Sequence, residues 1–110
     1  MKAFYVTFSA LVLLISTPFV AYATWDGTFT GKIFQIHVTG AENYGFRVVL
    51  EGRPALCGNN NNWAYVNKSN SNYETYVSVL LSAKLAGSPV KIQSNQSTNG
   101  YCEIGYLPVY

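Results

Sequence analysis

Four asparagines in a row, Asn59 to Asn62, run directly into Trp63, with Tyr65 two residues further on. Primary amides offer hydrogen-bond donors and acceptors without charge, which suits a hydroxyl-rich ligand. An aromatic ring beside them adds a flat apolar face on which a sugar ring can rest. Asn59, Asn60, Asn61, Asn62, Trp63 and Tyr65 are therefore the candidate ligand-binding residues. The structural alternative is a turn, because Asn tolerates left-handed backbone, with Trp63 in the core.

Residues for catalysis are thin on the ground. His37 is the single histidine, and a general base of that kind needs a carboxylate or nucleophile within reach. Its neighbours on the same strand face are Gln35 and Thr39. Asp26, Glu42, Glu51, Glu74 and Glu103 are scattered and form no motif. No metal-ligand spacing, nucleophile elbow or phosphate loop is present in the sequence. The expectation is a non-enzymatic protein with no catalytic residue, no metal and no cofactor.

Two further features set the context. Lys2 precedes an apolar stretch from Ala3 to Val20, and Ala21-Tyr22-Ala23 follows with small residues flanking a larger one. That pattern predicts a signal peptide over residues 1–23, cleaved to leave one small domain over 24–110. The run is too interrupted, by Ser9, Ser16, Thr17 and Pro18, for the roughly 20 apolar residues of a membrane span. Cys57 and Cys102 both fall in the remaining part, and an even count in an exported chain predicts a disulfide. The protein is expected to be secreted or periplasmic. Charge is sparse and nearly balanced, with no basic run for nucleic acid.

The elements that must position these residues read as β-β-β-α-β-β. From Trp25 to Val38 apolar residues alternate, first at odd positions and then, after Gly31, at even ones. That phase change predicts one long strand with a bend or bulge. Gly40 to Asn43 reads as a turn, Phe46 to Glu51 as a second strand and Trp63 to Val66 as a third. Ser71 and Glu74 have the spacing of a capping box. The stripe Tyr73, Tyr76, Val77, Leu80, Leu81, Lys84 predicts one helical face, ended by Gly87 and Pro89. Val90 opens a fourth strand, Ser94 to Gly100 reads as a polar loop, and Tyr101 to Tyr110 as a last strand. The predicted fold is mainly β with one α-helix, an OB-fold-like five-stranded small barrel with one disulfide. An open sheet with a helix on one face is the alternative.

Trp25 at the start of the domain, Cys57 after the second strand, "VLLSAKLAG" leading into "SPVKI", and "GYCEI" opening the final strand form a recognisable layout. It resembles the small secreted B subunits of the pertussis-like and subtilase-cytotoxin group, and related bacterial exported proteins. The resemblance implies an OB fold, a homo-oligomer (a pentameric ring), cell-surface glycan binding and a separate catalytic subunit. In glycan-binding members a Tyr-Tyr-Ser segment follows the opening Trp. Here "DGTFTGKIF" follows Trp25, so no binding residue is carried over. The contrasting expectation is a small monomeric exported domain that binds a protein partner or serves the envelope.

Overall fold

Lys32 divides the long first strand in two. In the computed structural model, which describes residues 24–110, β1 spans Gly27–Gly31 and β2 spans Ile33–Val38. The expected signal peptide over 1–23 lies outside the described residues. β3 is Phe46–Leu50, β4 is Ala64–Val66, β5 is Val90–Gln96 and β6 is Cys102–Tyr106, with helix α1 over Tyr73–Ala86. The count is thus six strands rather than five, because the bend at Lys32 interrupts one of them.

The sheet order is β1-β5-β6-β4-β3-β2. β1 and β2 are consecutive in the chain yet occupy opposite ends of that order, so the sheet has to curl until its two ends meet at Lys32. The Glu51 N–H donates to the Lys32 carbonyl at 2.8 Å and fastens the bend. The result is a curled half-barrel of OB-like order, with β4 and β6 parallel and the other neighbours antiparallel. Joining parallel strands takes a crossover, and α1 with β5 supplies it.

Alternation decides which side chains fill the curl. Phe46, Val48 and Leu50 of β3, Ala64 and Val66 of β4, Val90 and Ile92 of β5, and Cys102 and Ile104 of β6 all point inward and are buried. α1 closes the core with Leu80 and Ala83, while Tyr73, Tyr76 and Val77 pack part-buried against it. The inward stripe therefore passes through Ala83 rather than Leu81, which is 42% exposed. The predicted capping box does not form. Asn72 is the N-cap without a side-chain cap bond, and Asn70 Oδ1 accepts from the Asn72 N–H instead. The C-terminus ends as the residues predict: Gly87 takes left-handed φ 65° and its N–H reaches the carbonyls of Ala83 and Lys84.

Two fastenings tie separate segments of the described residues to this core. Cys57 and Cys102 form the predicted disulfide, both fully buried, with Cα atoms 5.5 Å apart. At the other end, the Asp26 N–H donates to Asn95 Oδ1 at 2.9 Å while Asp26 Oδ2 accepts from the Gln96 N–H at 2.8 Å. That reciprocal pair holds the start of β1 on β5.

Candidate ligand site

The convex face of the sheet carries the side chains that alternation turns away from the core. Strand register lines them up across five strands: His37 opposite Arg47, Arg47 opposite Tyr65, Tyr65 opposite Glu103, and Glu103 opposite Asn95. One step along, Trp63 precedes β4 and Tyr101 precedes β6. Because those two strands are parallel neighbours, the two rings come side by side.

Trp63 and Tyr101 are stacked, with ring centroids 4.7 Å apart and planes 28° from parallel. β4 lies between β6 and β3, so Arg47 approaches Trp63 from the opposite flank, its guanidinium carbon 4.6 Å from the ring centroid. Cation–π contact of this kind stabilises by about 0.5–1 kcal/mol or more when desolvated. Tyr44, from the turn between β2 and β3, completes the group. Its ring meets Tyr65 edge-on at 4.7 Å and Tyr101 edge-on at 4.8 Å. Tyr65 lies beneath, 6% exposed. Burial pushes its hydroxyl above the ordinary value of 10.0; the Ser97 hydroxyl pulls the other way, while the Glu103 carboxylate and Tyr44 add to the rise.

Beside this cluster opens a cleft of about 240 Å³. Tyr44, Tyr65 and Tyr73 supply aromatic walls, and Thr39, Asn67 and Lys68 supply polar groups. Asn67 is held in place: its Nδ2 donates to Glu103 Oε1 at 2.7 Å, and its Oδ1 accepts from the Ser69 N–H and hydroxyl. The cleft is smaller than the roughly 300–1,000 Å³ of pockets that hold drug-sized ligands. Tyr44 and Tyr65 belong to both the cluster and the cleft.

The asparagine run is divided by parity. Asn59 Nδ2 and Asn61 Nδ2 each donate to one acceptor, the Gly100 carbonyl, at 2.7 Å. Asn59 Oδ1 also accepts from the Asn61 N–H at 3.0 Å. Around them Ser94 Oγ donates to the Leu56 carbonyl and Gln96 Nε2 to the Cys57 carbonyl. These amides clasp the β3–β4 loop to the β5–β6 loop. Asn60 is exposed and Asn62 half-buried, and neither makes a side-chain hydrogen bond among the described residues. Of the six candidate residues, Trp63 and Tyr65 therefore sit within the aromatic cluster, while Asn59 and Asn61 stand behind it as its support.

His37 is exposed, with Nε2 3.1 Å from Gln35 Oε1, and Arg47 rather than a carboxylate is its cross-strand neighbour. Among the described residues no group of three or more His, Cys, Asp and Glu is placed to hold a metal ion. No helix among them is long and apolar enough to cross a membrane.

Tyr44, Arg47 and Tyr101 are the site residues that reading the sequence missed. Tyr44 falls between the predicted turn, Gly40 to Asn43, and the predicted strand from Phe46, and Tyr101 comes from towards the other end of the sequence. The one available signal is the abundance of tyrosine, nine in the chain, of which Tyr65 holds a strand position on the outer face. Compared with known proteins, the chain matches no family model, no curated protein and no solved structure.

Proposed function

We propose that this protein is a secreted, non-catalytic binding module that recognises a cell-surface glycan and works as an oligomer, in the manner of a toxin B subunit. One observation carries the reading. Tyr44, Trp63, Tyr65 and Tyr101 gather on the outer face of the sheet, beside a small cleft with polar groups at its rim. The cleft-lining rings of Tyr44, Tyr65 and Tyr73 would meet the apolar face of a sugar, and Asn67, Thr39 and Lys68 its hydroxyls. The small cleft implies weak affinity per site, and several copies in one ring would raise it through avidity.

Self-association would draw on Leu81 and Leu85, which lie one turn apart on α1, 42% and 89% exposed. A companion catalytic subunit would be a further layer of the same reading. The same leucines would equally serve the rival one, a monomer that binds a different protein.

A glycan array with the oxidised 24–110 protein, followed by calorimetric titration of any hit, tests the glycan reading. Binding that is lost in Tyr44→Ala and weakened in Tyr73→Ala, both residues of the cleft wall, with folding intact by circular dichroism, is the expected result. Absence of any hit at millimolar sugar, or binding untouched by both substitutions, overturns it. Solution mass by light scattering separates oligomer from monomer.

A further inference from the structure

We propose that Tyr44 and Asn99 form a latch, and that the turn bearing Tyr44 is a flap over the ligand site. The inference rests on the ligand-binding reading of the cleft, but its mechanical part stands on the structure alone.

Between β2 and β3 the chain makes a single 3₁₀ turn, Ala41–Asn43, with none of its residues buried and no side-chain cap. Glycines flank it at 40 and 45. Within the turn two backbone bonds hold its shape, Thr39 N–H to the Gly45 carbonyl at 2.7 Å and Asn43 N–H to the Gly40 carbonyl at 2.9 Å. Its side-chain anchor to the sheet is Tyr44. That ring reaches back onto Tyr65 and Tyr101, and its hydroxyl accepts from Asn99 Nδ2 at 2.6 Å in an exposed bond. Asn99 belongs to the β5–β6 loop, so this bond bridges two loops across the top of the aromatic cluster.

Tyr44 also has φ 57° and ψ 38°. Left-handed backbone is strained for a bulky residue that is not glycine, and such strain persists only where the surroundings enforce it. Ring packing and the Asn99 bond enforce it here, together with the Thr39–Gly45 backbone bond that closes the turn around Tyr44. Releasing the ring would leave that backbone bond alone to hold a strained residue, which brings a second conformation closer in energy. Tyr44 is at once a wall of the cleft and a member of the cluster. Swinging it out would join the two into one longer groove. A ligand hydroxyl would take over the hydrogen bond that Asn99 now gives to Tyr44, and in this way the latch would sense occupancy.

Amide hydrogen exchange of the ligand-free protein tests the latch without reference to any sugar. Tyr44→Phe keeps the ring and deletes the acceptor; Asn99→Ala deletes the donor. One exposed hydrogen bond of ordinary strength corresponds to about a fivefold change in opening. Exchange at Thr39 and Asn43 is therefore expected to quicken about fivefold in either variant, with the amides of β3 and β6 unchanged. Unaltered rates at Thr39 and Asn43 overturn the proposal. Acceleration of the whole sheet together also overturns it, since Tyr44 would then be a pin of the global fold. If the latch result holds while the glycan array is blank, the flap stands and the ligand class is what fails.

Discussion

Asn61 donates its side-chain amide to the carbonyl of Gly100 at 2.7 Å, across 39 residues of sequence. Asn59 does the same from 41 residues away, so one carbonyl oxygen uses both of its lone pairs to fix a loop. Tyr101, the next residue, is thereby set against Trp63. The run of asparagines that reads as a ligand loop is in half of its members the scaffold behind the site.

Asn59→Ala and Asn61→Ala are each expected to destabilise by about 1 kcal/mol, and the pair by more than either, because the Gly100 carbonyl then loses both donors. Asn60→Ala, exposed and unbonded, is expected to stay within about 0.5 kcal/mol of the parent. Urea denaturation of the parent and the four variants checks this. Equal effects at all positions would refute the parity argument.

The Trp25 ring lies over Gly105, where an added Cβ would come within 2.3 Å of it. Gly105→Ala should displace the ring, the far end of a half-buried side chain, and destabilise by up to about 1 kcal/mol. In a Trp25→Ala background the same change should cost almost nothing. A double-mutant cycle measured by thermal unfolding reads the coupling; additive effects would mean that Trp25 does not hold this seat.

Cys57 and Cys102 close a loop with a sequence separation of 45. Cys57→Ser with Cys102→Ser is expected to lower stability by about 4 kcal/mol in the chain-entropy model. The same bond anchors both loops of the asparagine clasp, so Trp63 should also become more exposed. Fluorescence quenching by acrylamide, in a Trp25→Phe background to isolate Trp63, reports that change.

Tyr65 gives a pH signature. Its folded pKa is raised above 10.0, chiefly by burial, so the folded state holds the phenolic proton more tightly than the unfolded chain does. The stabilisation is fully present below the unfolded value near 10.0 and declines as pH rises through the folded value. Denaturation midpoints should fall above about pH 10, and Tyr65→Phe should flatten that part of the profile. A profile that is as steep in the variant would remove Tyr65 as the source.

Much of the architecture follows from local pattern. Alternation in Phe46–Leu50 assigns opposite faces to Val48 and Arg47 whatever the rest of the chain does, because successive strand side chains point to opposite sides. The phase change after Gly31 marks the bend at Lys32, and Gly87 with Pro89 stops α1, each through the backbone conformations those residues allow or forbid. The capping box at Ser71 and Glu74 gives way to another local bond, Asn72 N–H to Asn70 Oδ1, whereas the expected inward place of Leu81 is overridden by the tertiary packing of α1 through Leu80 and Ala83. What parity cannot supply is the neighbour. Trp63 meets Tyr101 only because β4 and β6 are adjacent and parallel, and it meets Arg47 only because β3 lies on the other flank. Tyr44 joins them by folding a turn back over the sheet, and Asn59 and Asn61 find Gly100 through loops brought together by a disulfide. Sidedness is a property of one strand and is written in it, whereas adjacency is a property of the whole sheet and exists only once the chain has closed on itself.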